Sequence, residues 1–116
     1  LLYGGGGQDL LIGGFTDFDS NAAALLDILA EWTSGHTLEE RVRNIVDGSG
    51  TLGGGANGGY FLTDGPGGTV HNDGAIDVLI GGSGTDWLFL NGLLERLLAL
   101  GSGSDLLGDD LEALFD

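Results

Sequence analysis

A nine-residue pattern recurs in this chain and constrains its fold more than any other feature. Residues 81–89 read Gly-Gly-Ser-Gly-Thr-Asp-Trp-Leu-Phe, with Asp86 at the end of a glycine-rich turn and a leucine two residues later. The nine residues before them place Asp77 and Leu79 at the same two positions. Because the aspartate and the leucine return in register, the pattern indicates a structural repeat and not only a bias in composition.

The residue types in this pattern suit a turn that binds a cation. Glycine tolerates positive backbone dihedral angles, so the chain can curl tightly and direct successive carbonyl oxygens toward one point. The aspartate at the end of the turn adds a carboxylate, and oxygen ligands of this kind suit a hard cation such as calcium. The residues that follow, Trp87, Leu88 and Phe89, favour a short β-strand. The pattern therefore predicts a unit in which the turn binds metal and the strand contributes to the core.

Two segments, residues 4–12 and 81–89, match the pattern GGxGxDxUx at every defined position, where U is a large apolar residue. Partial copies that keep the aspartate and the leucine lie at residues 72–80 and 100–108. On these residues the chain resembles the RTX family, the hemolysin-type calcium-binding nonapeptide repeats. The resemblance covers about a third of the chain.

The resemblance implies a parallel β-roll or β-helix in which each calcium ion lies between two stacked turns. It implies that the turn carbonyls and the aspartates of both turns provide the ligands. Carboxylates would repel one another until calcium bridges neighbouring turns, so folding coupled to metal binding is also implied. The ligands implied are Gly5, Gly7, Asp9, Asp77, Gly82, Gly84, Asp86 and Asp105.

The loop after the first repeat contains a further candidate metal site. Asp17, Asp19 and Asn21 occupy alternate positions, a spacing that is found at the start of an EF-hand calcium loop. The rest of that loop is missing, since its sixth position is Ala22 and its twelfth is Ile28. In the alternative interpretation, the second aspartate or the serine after it caps the helix that follows. The two roles can coexist, so both stay open.

Helices and a hairpin are predicted between and after the repeats. Apolar residues recur at helical spacing over residues 22–32, and a capping box at residues 37–40 begins a second helix. Short apolar runs at residues 60–62 and 69–71 flank a turn that contains proline and glycine, which predicts a hairpin. A short leucine-rich helix is predicted over residues 93–100, ended by Gly101.

The predicted fold is therefore α+β: a short parallel β-roll or β-helix of calcium-binding repeats, with an inserted two-helix and hairpin segment and a short C-terminal helix. The 116 residues suit one module. Residues 1–14 and 72–90 carry repeats, residues 15–71 form the insertion, and residues 91–116 form the helix and an acidic tail. The first residues resemble the end of an earlier repeat, so we expect an excerpt of a longer parent chain.

Charge and composition limit the classes of partner. The formal net charge is −15 at pH 7, with only three lysines and arginines together, so no basic patch for nucleic acid or an anionic membrane can form. The same charge favours bound cations. The chain has no cysteine and so no disulfides, which leaves bound metal as the cross-link that could stabilise a small fold. No apolar run approaches the roughly 20 residues of a transmembrane helix, so we do not expect membrane insertion.

No catalytic constellation stands out. The two histidines, His36 and His71, fall in a turn and at a strand end, and Ser83 and Ser102 occupy variable repeat positions and not a nucleophile elbow. The spacing of the acidic residues suits turns and not an acid/base pair. Phosphate-loop and dinucleotide fingerprints are missing as well. We therefore predict that the chain is not an enzyme.

The functional hypothesis from the sequence is a calcium-binding structural module of a secreted or cell-surface bacterial RTX-type protein, which folds or becomes rigid on binding Ca²⁺. In one alternative it is a self-assembling subunit of a surface array or filament, because open strand edges can recruit another copy. In another it is the non-catalytic C-terminal part of a secreted protease or lipase. The tail at residues 109–116 resembles type I secretion signals or is an ordinary amphipathic tail. The expected partners are calcium ions, the rest of the parent chain and further copies.

Overall fold

Short strands and helices alternate along the part of the chain that the structure describes. The computed structural model describes residues 2–71, 79–89, 100–101, 105–109 and 111–115. In chain order its elements are β1 (Leu2–Tyr3), β2 (Leu10–Ile12), β3 (Phe15–Thr16), α1 (Ala22–Trp32), α2 (Leu38–Val46), β4 (Val70–His71), β5 (Leu79–Gly82), β6 (Trp87–Phe89), β7 (Leu100–Gly101), β8 (Leu106–Leu107) and α3 (Leu111–Phe115).

The strands lie in three separate sheets. Two sheets have three parallel strands each, in the orders β1-β5-β7 and β2-β6-β8, and the third pairs β3 with β4 antiparallel. In the second parallel sheet, Trp87 lies opposite Leu10 on one side and Leu106 on the other. Strands that are consecutive in the described chain and occupy the same position in the two parallel sheets form one layer. The described strands therefore make three layers, namely β1 with β2, β5 with β6, and β7 with β8.

The two faces of β6 belong to two different hydrophobic clusters because successive strand side chains point to opposite faces. On one face, Trp87 and Phe89 are completely buried with their ring centroids 4.9 Å apart, and Trp32 of α1 lies 5.7 Å from Trp87. On the other face, Leu88 packs with Leu79 of β5 in a second cluster. Each fully buried side chain of this size contributes about 1.5–3 kcal/mol relative to an exposed one. The middle layer therefore anchors both clusters.

The two longer helices cover the first of these faces, and each begins at a side-chain cap. α1 begins after Asn21, whose Oδ1 accepts the backbone N–H of Ala24 at 3.2 Å. α2 begins after Thr37, whose Oγ1 accepts the Glu40 N–H while the Glu40 carboxylate accepts the Thr37 N–H. This second arrangement confirms the predicted capping box.

The predicted β-roll or β-helix of calcium-binding repeats is wrong. The structure is a small α+β fold in which several short strands lie in separate sheets. The physical reason lies in the distance between the complete copies of the pattern, at residues 4–12 and 81–89, with the helices between them. A continuous coil needs at least about three consecutive repeats to bury its core, and here α1 and α2 bury much of it instead.

Two further predictions of local structure have separate outcomes. Of the predicted hairpin, the turn is present, because the N–H groups of Thr69 and Val70 donate to the Thr63 carbonyl at 2.8 Å, but residues 60–62 form no strand. β4 pairs instead with β3, with Phe15 opposite His71. The leucine-rich helix lies outside the described residues up to residue 99, and Leu100 belongs to β7. Among the described residues, no helix has the length and apolar character needed to cross a membrane.

Candidate metal centre in two stacked glycine turns

Two glycine turns of the same shape lie one above the other between the parallel sheets. The first, residues 4–9, connects β1 to β2, and the second, residues 81–86, leads from β5 into β6. Equivalent glycines have nearly the same positive φ in both turns: 91° at Gly5 and 86° at Gly82, and 94° at Gly7 and 93° at Gly84. Residues with a Cβ rarely adopt this conformation, so the glycines of the pattern set the curl of both turns.

The main chains of the two turns approach each other closely. The Ser83 N–H donates a hydrogen bond to the Gly5 carbonyl oxygen at 3.1 Å. A Cβ at Gly82 would overlap that same oxygen, and a Cβ at Gly84 would overlap the carbonyl oxygen of Gly7. Glycine is therefore needed here for close approach as well as for its φ, and two carbonyl oxygens of the first turn lie against the second turn.

Three aspartates are linked by hydrogen bonds from one layer to the next. The Asp9 N–H donates to Oδ1 of Asp86 at 2.8 Å, and the Asp86 N–H donates to Oδ1 of Asp105 at 3.0 Å. The strands that follow keep the same register, since the N–H of Trp87 donates to the Asp9 carbonyl at 2.8 Å. Asp86, in the middle of this ladder, is completely buried.

One oxygen of each of the first two carboxylates is buried without a hydrogen-bond partner in the described part of the chain. These atoms are Oδ2 of Asp9 and Oδ2 of Asp86. A Cβ placed on Gly4 would lie 2.6 Å from the first of them and 2.8 Å from the Gly81 carbonyl oxygen, so a carboxylate and a main-chain oxygen share a small space. A buried anionic oxygen without a donor is costly, and a cation in this space would satisfy it.

Burial and neighbouring charge raise the pKa of Asp86. Burial is the largest cause, and the negative charges of Asp105 and Asp9 raise the pKa further, while the hydrogen bond from the Asp9 N–H lowers it in part. The fold therefore makes ionisation of Asp86 harder than that of an exposed aspartate. A divalent ion beside it would reverse this effect because opposite charge favours the ionised carboxylate.

The structure brings together most of the ligands that the resemblance implied. The stacked turns and the aspartate ladder contain Gly5, Gly7, Asp9, Gly82, Gly84, Asp86 and Asp105. Asp77 lies outside the described residues. Within the described residues, no group of three or more His, Cys, Asp or Glu side chains is placed to hold a metal ion. Calcium accepts main-chain carbonyl oxygens, so a site here would depend on the turn carbonyls together with two carboxylates.

The second candidate site, in the loop between β3 and α1, has its carboxylates in hydrogen bonds. Oδ1 of Asp17 lies 2.6 Å from Nε2 of His71. Oδ1 of Asp19 accepts the Thr16 hydroxyl at 2.7 Å and the Thr16 N–H at 3.2 Å. Asn21, and not Asp19, caps α1. These contacts fix the loop as the turn before a helix, and no buried orphan oxygen points to a ligand there.

A completely buried carboxylate that the sequence analysis missed lies where α1, α2 and the glycine-rich loop after α2 meet. Oε1 of Glu31 accepts the Ala56 N–H at 2.9 Å, and its Oε2 accepts Nδ2 of Asn44 at 3.2 Å. Nδ1 of His36 lies 2.8 Å from Oε2. The signal was present in the sequence, because Glu31 follows Ile28 by three residues and so falls on the buried face of α1.

Hydrogen bonds lower the pKa of Glu31 despite its burial. Burial is the largest single influence and raises the pKa, but the hydrogen bonds from Ala56, His36 and Asn44 and the charge of His36 together outweigh it. Glu31 therefore differs from Asp86, because both of its carboxylate oxygens have hydrogen-bond partners. These hydrogen bonds hold the glycine-rich loop to the helices. Its role is structural.

No protein-family model, no curated protein and no solved structure matches this chain. The case for a function therefore rests on the chemistry of the stacked turns.

Proposed function

We propose that this chain is a calcium-binding structural module in which Ca²⁺ bridges the two stacked glycine turns. The observation that carries the proposal is the pair of buried carboxylate oxygens without partners, on Asp9 and Asp86. Asp86 is completely buried, its Oδ1 accepts the Asp9 N–H, and the negative charges of Asp9 and Asp105 act on it. A positive counter-charge would stabilise the ionised form of such a carboxylate, and oxygen-rich surroundings favour calcium over softer metals.

The ligands in this proposal come from main chain and side chain together. Asp9 and Asp86 would provide carboxylate oxygens, and the turn glycines would provide carbonyl oxygens, namely Gly5, Gly7, Gly82 and Gly84. When bound, calcium supplies positive charge between oxygens that otherwise repel. Asp105 continues the aspartate ladder into the third layer and would provide a further carboxylate there.

Calcium binding would couple to the stability of the fold. The chain has a formal net charge of −15, and self-repulsion at this charge opposes a compact state. An ion that binds only the folded chain adds stability that grows with its free concentration. The proposed role is thus to order part of a secreted or cell-surface protein only where calcium is abundant. Extracellular calcium-binding modules typically have Kd values of about 10⁻⁴–10⁻³ M, which suits such a role.

We expect calcium to raise the melting temperature of chelator-treated protein. At a free calcium concentration of about 100 times Kd, stabilisation of about 2.7 kcal/mol and an increase of about 10 °C are expected for a domain of this size. Magnesium at the same concentration should have a smaller effect, because it requires octahedral geometry and keeps its waters. Thermal unfolding followed by circular dichroism measures this, and identical melting curves in calcium and in chelator would refute the proposal.

A further inference from the structure

Arg41 of α2 connects the two longer helices to the first glycine turn. Its Nη2 donates to Oε1 of Gln8 at 2.6 Å, and Gln8 lies in that turn immediately before Asp9. Its Nη1 donates to the carbonyl oxygen of Trp32, the last residue of α1, at 2.9 Å, and its Nε donates to that of His36 at 3.0 Å. One guanidinium therefore joins the end of α1, the link between the helices and the turn.

The guanidinium of Arg41 is well suited to hold these partners in a fixed arrangement. It lies over the indole ring of Trp32, 5.1 Å from the ring centroid. Its donors form a planar fork that loses little freedom for each hydrogen bond formed, and its charge persists at any ordinary pH. The chain has a formal net charge of −15 and only three lysines and arginines together. One of these three is thus held at the end of α1, in contact with the turn.

Gln8 occupies a position that affects the geometry of the proposed ligands. The carbonyl of Gly7 and the N–H of Gln8 belong to one planar peptide unit, so a fixed Gln8 limits the directions that this carbonyl oxygen can take. Asp9 follows directly, and its Oδ2 is one of the buried oxygens without a partner. The turn contains glycines with positive φ at Gly5 and Gly7, and glycine has more conformational freedom to lose than any other residue. An anchor at Gln8 therefore reduces the ordering that an ion has to impose.

The helices also contact the second turn, at the residue that follows its aspartate. The ring of Trp32 lies 5.7 Å from that of Trp87, and the Trp87 N–H donates to the Asp9 carbonyl at 2.8 Å. The end of α1 thus packs against the strand that leaves the second turn, and Arg41 binds the first turn from the same place. The helical pair is therefore in contact with both halves of the candidate metal centre.

We propose that Arg41 is a positioning residue of the calcium site. By binding Gln8, it holds the first turn so that the carbonyl oxygen of Gly7 and the carboxylate of Asp9 face the ion. Calcium affinity then depends on the helices, and by thermodynamic reciprocity calcium stabilises the contact between the helices and the turn. This inference rests on the proposed calcium function and gives a role in binding to a residue that does not touch the ion.

Positioning and simple electrostatics predict opposite effects when this arginine is replaced. A positive charge in the neighbourhood of a cation weakens its binding, so loss of the charge alone would tighten calcium binding. Loss of the positioning contact would weaken binding, because part of the binding free energy is then spent on ordering the turn. The sign of the change in Kd therefore decides between the two roles.

Calcium titration calorimetry of Arg41→Met, Gln8→Ala and the double variant tests the proposal. Arg41→Met keeps the length of the side chain and removes its charge and donors, whereas Gln8→Ala removes the acceptor without changing the charge. Each single variant should raise the Kd for calcium about three- to tenfold, the range expected for one hydrogen bond. The double variant should bind no more weakly than Arg41→Met, because both changes remove the same contact.

Arg43→Met is the matched control for the lost charge. Arg43 lies on the same helix, where its Nε pairs with Glu39 at 2.9 Å and its guanidinium lies 5.3 Å from the ring centroid of Phe115. Its replacement should change the Kd by no more than about twofold, because solvent and salt screen a charge outside the site. Melting temperatures measured in chelator and in calcium complete the comparison. A purely structural role for Arg41 would lower both equally and leave the Kd of the folded protein unchanged.

The outcomes separate this proposal from the calcium function. Tighter or unchanged calcium binding by Arg41→Met, or losses that add in the double variant, would overturn the positioning role. Gln8 is exposed, so Gln8→Ala should fold normally, and its Kd decides the matter if Arg41→Met is unstable. If the unaltered protein and both variants bind calcium equally well, the positioning role fails and the calcium function stands. If the unaltered protein binds no calcium, both fail.

Discussion

Replacing Glu31 with alanine is expected to lower the free energy of unfolding by about 3–5 kcal/mol. The carboxylate is completely buried and accepts hydrogen bonds from the Ala56 N–H and from Nδ2 of Asn44. Its removal takes away the acceptor of the Ala56 N–H and one of the two acceptors of Asn44 Nδ2, which keeps its hydrogen bond to Thr51 Oγ1, and it opens a cavity between the helices and the loop. Domains of this size have about 5–15 kcal/mol in total, so this loss is a large fraction of the whole stability. Urea denaturation measures the change.

Two variants make this result specific to the buried contacts. Glu31→Gln keeps an oxygen for the Ala56 N–H but loses one acceptor, so its loss of stability should be intermediate. Glu39→Ala removes an exposed carboxylate that pairs with Arg43 one helical turn away, and it should change stability by no more than about 0.5 kcal/mol. Equal effects of Glu31→Ala and Glu39→Ala would show that the buried network does not hold the loop.

The lowered pKa of Glu31 also predicts how the stability of the fold changes at acidic pH. A carboxylate with a lowered folded-state pKa contributes stability above its ordinary pKa of 4.5, and this contribution is lost as the pH falls through the folded-state pKa. Stability should therefore fall on acidification below about pH 4.5 more steeply in the unaltered protein than in Glu31→Gln. Parallel pH curves for the two proteins would contradict this assignment.

Asp86→Asn is expected to abolish the stabilisation by calcium and, at the same time, to stabilise the metal-free protein. The amide keeps an oxygen for the Asp9 N–H, which donates to Oδ1 of Asp86 at 2.8 Å. It also removes a buried negative charge whose pKa is raised by burial and by the charges of Asp105 and Asp9. The gain in chelator should be about 1–3 kcal/mol, and the calcium-induced increase of about 2.7 kcal/mol should vanish.

Loss of the calcium response together with a gain of stability in chelator distinguishes a metal ligand from an aspartate that only stabilises the fold. Asp27→Asn is the matched control, because it removes the same charge from an exposed position on α1. It should leave both the metal-free stability and the calcium response within about 0.5 kcal/mol of the unaltered protein. An Asp86→Asn variant that is less stable in chelator and still responds to calcium would show that the turn binds no ion.

Local signals in the sequence predicted the local structure well. The helix predicted at residues 22–32 is the observed α1, and the capping box at Thr37 begins α2. The glycines of the turns adopt positive φ because the pattern leaves no Cβ to oppose it. These features depend on neighbours within a few residues, and such neighbours are visible in the sequence.

Features that depend on distant residues were missed or wrong. β4 pairs with β3, to which it is joined only after two helices and a long loop, and no periodicity identifies that partner. The glycine-rich loop after α2 carried little local signal, yet it supplies the Ala56 N–H to the buried Glu31. The predicted β-roll failed for the same reason: the pattern defines each turn, and the helices between the copies decide how the strands assemble.

The most direct measurement of the central claim is a crystal structure grown in excess calcium, with anomalous scattering to identify the ion. We expect a calcium ion between the stacked turns, with carboxylate oxygens of Asp9 and Asp86 and turn carbonyls at about 2.3–2.6 Å. Turns without an ion, with both carboxylates hydrogen-bonded to water or directed into solvent, would contradict the account.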